Sequence, residues 1–234
     1  MALRLSSIFL ICWLMTGNSR IPGVVADSTY KSRPDLAPPK LNITTPASSS
    51  VEKGFLFISP FTGFPNPVDH GPLQPAPYIL ADTGDLVWSG FTYFSVWAAN
   101  FQVAKWKGRE VLFAFEGQHN SLHGHGHGHH TFLDQHYRNI RELRAGNHLL
   151  SDKHEFIIIN EETALIQIYH PIELDLHRFG AQEGQTWIVD ARFQGKKENP
   201  GDIFELTFES ELDIASGAVL FEWNSLDHIS PNGK

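Results

Sequence analysis

The sequence has a single cysteine, Cys12, inside its apolar N-terminal segment, so no disulfide can hold the body of the chain. It has no basic excess. Lys and Arg number 18 against 26 Asp and Glu, a formal net charge of −8, which argues against nucleic-acid binding, where a basic stripe must neutralise phosphate. Helical periodicity is missing too, since no segment keeps an apolar repeat of that period for more than two turns. Neither a phosphate-cradling glycine motif nor a serine elbow is present. Wholesale disorder is also excluded, because at 41% hydrophobic and 12% aromatic the chain can bury a core.

The N-terminus reads as a signal peptide over residues 1–26. "MALR" supplies the basic start, "LSSIFLICWLM" an apolar run of 11 residues, and "GVVA" a small-residue cleavage site before Asp27. A spanning helix would need about 20 apolar residues. The expected product is secreted or extracellular, with no stable membrane insertion after cleavage; the alternative is an uncleaved anchor. Asn42, in "NIT", is a glycosylation candidate in such a chain. Residues 27–53 are a polar leader rich in Pro, Ser and Thr, and residues 54–234 form the folded domain.

From "GFLFISPF" onward short β-prone runs alternate with turn signals. "YILADTGDLVWSG" places two runs around an Asp-Thr-Gly-Asp turn, and "NFQVAKWKGREVLFAFEG" repeats the plan around Lys-Gly-Arg. "HHTFLDQHYRNIRELRAG", "KHEFIIINEETALIQIY", "TWIVDARFQ" and "LDIASGAVLFEW" continue it. The fold class is all-β, built from consecutive antiparallel hairpins. "DTGDLVW" and "DIASGAVLFEW" share an acidic residue, a turn glycine and a terminal tryptophan, a recurrence that suits propeller blades. At about 40–45 residues per blade, the chain makes an incomplete propeller of about four to five blades. A β-sandwich has the same local signals. Trp88, Trp187 and Trp223 are expected in the core between blades.

The run "HNSLHGHGHGHH" holds six histidines in twelve residues, His119 to His130. Alternate residues on a strand share a face, so His123, His125, His127 and His129 could converge on a cation. Glycine neighbours, however, supply neither the packing nor the outer hydrogen bonds that fix metal ligands. The competing readings are a turn leading into a strand and a channel-facing role for one histidine.

Three phrases together, "GHGHGHHTFLDQHYR", "DKHEFIIINEETALIQIY" and "FEWNSLDHISPN", resemble the fungal branch of the arylsulfotransferase (ASST) family, over about Arg33 to Asn232. The resemblance implies a secreted β-propeller whose domain is roughly twice as long, this chain being its N-terminal portion. It implies transfer of a sulfuryl group from an aryl sulfate to a phenol, both small molecules, with no nucleotide donor, metal or other cofactor. In bacterial members a histidine takes the sulfuryl group. Imidazole suits that role, being a neutral nitrogen nucleophile near pH 7. "HEF" at His154 resembles the family's blade motif, making His154 the first candidate for a sulfuryl-binding residue, with His130 and His228 as further candidates of the same kind. The motifs implied to carry the nucleophilic histidine, its Asn partner and an arginine lie beyond Lys234, so this chain itself is expected to be an inactive fragment.

One stretch departs from the family pattern, in which "RFQ" runs through one Glu into "LDIASGAVLFEW". Residues 195–210, "GKKENPGDIFELTFES", intervene here. Gly-Lys can be encoded GGTAAG, an intron donor, and Ser-Glu TCAGAG, an acceptor. The stretch therefore reads as a translated intron, and the terminal Gly233-Lys234 as read-through into another; a genuine surface loop is the alternative. Arg178 and Arg192 are expected to be solvated cations, and Asp152, Glu155, Asp175 and Glu183 take no role, because they are scattered over separate hairpins. The rival to an enzyme is a non-catalytic secreted β-protein binding a ligand or metal through its His-rich segment.

Overall fold

The structure, a computed structural model, describes residues 28–60, 72–95, 97–120, 122–195 and 212–232. The expected signal peptide, Cys12, all but the first residue of the proposed intron, and Gly233-Lys234 lie outside the described residues. Among the described residues twelve strands form three antiparallel sheets, so the all-β class holds. The first sheet is β1 (Phe55–Ile58), β2 (Tyr78–Ala81) and β3 (Leu86–Ser89). The second runs in chain order through β4 (Ala98–Trp106), β5 (Arg109–His119), β6 (Gly126–Leu133) and β7 (Asn139–Leu143). The third contains β8 (Phe156–Ile159), β9 (Thr163–Glu173), β10 (Trp187–Gly195), β11 (Leu212–Asp213) and β12 (Phe221–Asn224), followed by a single helical turn, α1 (Ser225–His228).

The turns form where the sequence places them. Lys107 and Gly108 both take positive φ, 51° and 72°, which gives the two-residue connection whose twist matches the flanking strands. Gly84 and Gly217, the turn glycines of the two related phrases, take φ of 84° and 77°. The tip of the β8–β9 hairpin then braces that of β4–β5. The Glu161 carbonyl accepts the Lys107 N–H at 2.9 Å, and the Glu161 carboxylate accepts the Gly108 N–H at 2.7 Å.

Period-two alternation gives the second sheet two apolar faces, and each is covered. Ala114 and Leu133 pack with Ile79, Trp88, Ala98 and Phe101 on the side of the first sheet. Val111, Phe113, Phe132 and Leu143 pack with Phe156, Ala164, Ile166, Ile168 and Leu212 of the third. The sheets are therefore stacked face to face in chain order, with the second in the middle. Trp88 is buried as expected, but Trp187 is 62% exposed at the start of β10. It faces outward there beside Val189, which is exposed as well. Arg192 is likewise no free cation, since it bridges buried Asp190 at 2.9 Å and Glu222 at 3.1 Å.

Strands β10 and β11 lie along the same edge of β9. Gln194 stands opposite Ile166 and Leu212 opposite Ala164, so only one strand position, opposite Leu165, separates them.

Candidate functional site

The glycines of the histidine run have a packing reason. The Phe115 ring lies across Gly117, Gly126 and Gly128; a Cβ on Gly128 would meet the Glu116 carbonyl at 2.1 Å and Phe115 Cζ at 2.7 Å. On the same side Gly128 exchanges two backbone hydrogen bonds with Ser151, at 3.0 and 3.1 Å, which brings the segment after β7 onto the edge of β6. Residues 122–124 form a turn, and β6 begins at Gly126.

Alternation then parts the histidines between two environments. His129 stands opposite Glu116, facing the first sheet. Glu116 is buried and accepts the Ser95 N–H at 2.6 Å and the Thr131 hydroxyl at 2.8 Å, with His129 Nε2 at 3.6 Å. Burial pushes the Glu116 carboxyl up, but His129, the Ser95 N–H and the Thr131 hydroxyl outweigh it and hold it at about 2. His130 points the other way. It is fully buried, stacked on Phe156 with ring centroids 4.0 Å apart, and edge-on to Phe115. Neither of its ring nitrogens has a hydrogen-bond partner among the described residues. Burial, with the nearby His129, pushes it down to about 3, so at neutral pH it is an uncharged core ring.

His154 sits differently. Its ring is 46% exposed, yet Nδ1 lies 2.5 Å from the carboxylate of Asp152, whose side chain is fully buried. Asp152 also accepts the Gly126 N–H at 2.5 Å and the His154 N–H at 2.9 Å, while its own N–H donates to the Gln167 carbonyl at 2.8 Å. Burial would push the Asp152 carboxyl up, but the N–H groups of Gly126 and His154 and the His154 ring prevail and hold it below the ordinary range. His154 Nε2 is 2.8 Å from Lys153 Nζ. The ring lines an open depression of about 370 Å³ with His123, Gly124, His125, Tyr169 and Val189. His125 is buried against Tyr169 and His127, and burial lowers its pKa.

His228, the third candidate, is exposed on α1 and stacks on Trp223 with centroids 5.1 Å apart and rings 3° from parallel. The candidates are thus not gathered into one pocket: His154 is on the rim, His130 in the core, His228 on the outer edge of the third sheet. A larger concavity of about 960 Å³, between the β4–β5 and β6–β7 hairpin tips, contains none of the three. Among the described residues no group of three or more His, Cys, Asp and Glu side chains is arranged to hold a metal ion. No helix among them is long and apolar enough to cross a membrane.

The arylsulfotransferase (ASST) family model matches residues 102–233, from within β4 to beyond α1. The chain belongs to the arylsulfotransferase family. Comparisons with curated proteins and with solved structures gave no match. The matched region of this arylsulfotransferase-family chain contains the whole histidine run, Asp152, His154 and Tyr169. Asp152 is the residue that reading by hairpins passed over. The signal that could have found it is "DKH", an Asp two residues before a histidine, a spacing at which a carboxylate can take both the backbone N–H and the ring N–H of that histidine.

Proposed function

We propose that this chain is the N-terminal portion of a secreted arylsulfotransferase-family β-propeller, and that the complete domain moves a sulfuryl group from an aryl sulfate to a phenol. Family membership supports the substrate class, and the stack of antiparallel sheets in chain order supports the propeller, with the three sheets as successive blades. The outward apolar side chains Ile157 and Trp187 on the third sheet suit a surface that a further blade covers. Secretion agrees with the N-terminal pattern, and Asn42 is exposed, as glycosylation requires.

One observation carries the reading of the site: His154 stands beside the Lys153 ammonium on the rim of a depression whose wall includes Tyr169 and Val189. A sulfate ester needs a cation near its oxygens and apolar surface for its aryl ring; the Lys153 ammonium offers the first, and Tyr169 and Val189 the second. His154 is assigned as a sulfuryl-binding residue. In the full-length reading frame, transfer from 4-nitrophenyl sulfate to a phenol is expected, with loss in His154→Ala. The 234-residue chain alone should not turn over, and turnover by it would overturn the assignment as a portion. An inactive full-length protein that takes up stoichiometric metal would favour the non-catalytic reading.

We further propose that residues 195–210 are an insertion of translated intron sequence. Joining Gln194 to Glu211 puts one residue between Gln194 and Leu212, the number the pairing of β10 and β11 along β9 leaves room for. The cDNA decides the matter: a major transcript that keeps this stretch would refute it.

A further inference from the structure

We propose that Asp152 is a positioning residue for His154: it fixes the imidazole with Nδ1 protonated and so presents Nε2 to the depression beside β6. This rests on the reading of His154 as the sulfuryl-binding residue.

Both neighbours of the ring demand the same tautomer. A carboxylate can only accept, so Nδ1, 2.5 Å from Asp152, must carry the hydrogen. An ammonium can only donate, so Nε2, 2.8 Å from Lys153 Nζ, must be the acceptor when the ring is neutral. A half-exposed histidine without such partners would sample both tautomers and several rotamers. Here the tautomer and the orientation are set before any ligand arrives. Nε2 is therefore the ring atom turned to a ligand, beside the Lys153 ammonium.

The mount is rigid because Asp152 is tied to both sheets that flank it. One carboxylate oxygen is occupied by the Gly126 N–H of β6, the other by His154, and the Asp152 N–H is held by Gln167 of β9. The alternating glycines acquire a second purpose here. A Cβ at position 126 would stand 3.1 Å from Lys153 Cβ and 3.0 Å from Phe115 Cζ, crowding the segment that carries Asp152. The groups facing His154 are Lys153, Asp152, His123, His125 and Tyr169, with His119 close enough to feel its charge.

The test reads the ring first and ligand second. In the ¹⁵N-labelled 234-residue chain at mildly alkaline pH, with the His154 signals assigned by their loss in His154→Gln, Nδ1 should appear protonated and Nε2 unprotonated. Asp152→Asn leaves one acceptor oxygen where three N–H donors compete, and should yield the Nε2–H or a mixed tautomer. A wild-type ring with Nε2 protonated, or a tautomer unchanged by Asp152→Asn, would overturn the proposal. If that variant fails to fold, the wild-type tautomer alone still decides. Affinity for 4-nitrophenyl sulfate should fall about tenfold in Asp152→Asn. The expected tautomers with 4-nitrophenyl sulfate bound equally well by His154→Ala would uphold Asp152 as the residue that positions the ring, and would sink only the sulfuryl-binding reading.

Discussion

Two stretches that lie against each other use histidine in opposite ways. Residues 119–130 carry six histidines in twelve positions, while the neighbouring Ser151–Phe156 carries one. In the first, the strand pleat sends His130 into an aromatic slot without a polar partner and His129 towards buried Glu116. In the second, a buried carboxylate holds one nitrogen of His154 and the other meets the Lys153 ammonium at the rim of the depression. Histidine density thus marks a strand that needed glycine on one face. Chemistry is favoured where one ring nitrogen is fixed and the other is accessible.

Acid should break the dense stretch. His130 has an ordinary value of 6.5 and is held at about 3 by burial, so below pH 6.5 the unfolded chain binds a proton that the folded chain refuses. Stability must then fall as pH drops from about 6.5 to about 3, by roughly 5 kcal/mol in total. Glu116 adds to the loss further down. Its folded value of about 2 lies below the ordinary 4.5, so the stability it contributes disappears as pH falls through that interval. His130→Phe should shift the acid midpoint, followed by far-UV circular dichroism, to lower pH. It should also raise stability at pH 7 by about 1 kcal/mol, because two unpartnered nitrogens are removed. An unshifted midpoint would mean that His130 is not the refused proton site.

A smaller effect should come from filling the glycine face. Gly128→Val puts methyl groups where the Glu116 carbonyl and the Phe115 ring already stand, and should cost about 3 kcal/mol in urea denaturation. In the same measurement His154→Ala should cost about 1 kcal/mol, because Asp152 loses the ring but keeps the Gly126 and His154 N–H groups. Equal losses at the two positions would erase the distinction between a packing strand and a presenting segment.

Much of the fold could be read from residues in a row. Lys107-Gly108 and the Asp82–Asp85 turn announced their hairpins because their conformational demands are local. The outward turn of Trp187 was not readable, because an aromatic residue on a strand end looks the same whether or not a neighbour covers it. The pairing of Arg192 with Asp190 and Glu222 was hidden for a related reason, as Glu222 arrives from another strand. At the site, His154 stood out by resemblance. Asp152 did not, because its value depends on the Gly126 N–H, 26 residues earlier, and on the Gln167 carbonyl of another sheet.

By itself the sequence determined the antiparallel strands, their turns and the family, since alternation and turn chemistry act over a few bonds and a family pattern is a property of order. Only the tertiary structure decided which histidine is buried and which is presented. That choice depends on desolvation and on partners brought together from distant segments: Phe115 and Phe156 around His130, Gly126 and Gln167 around Asp152.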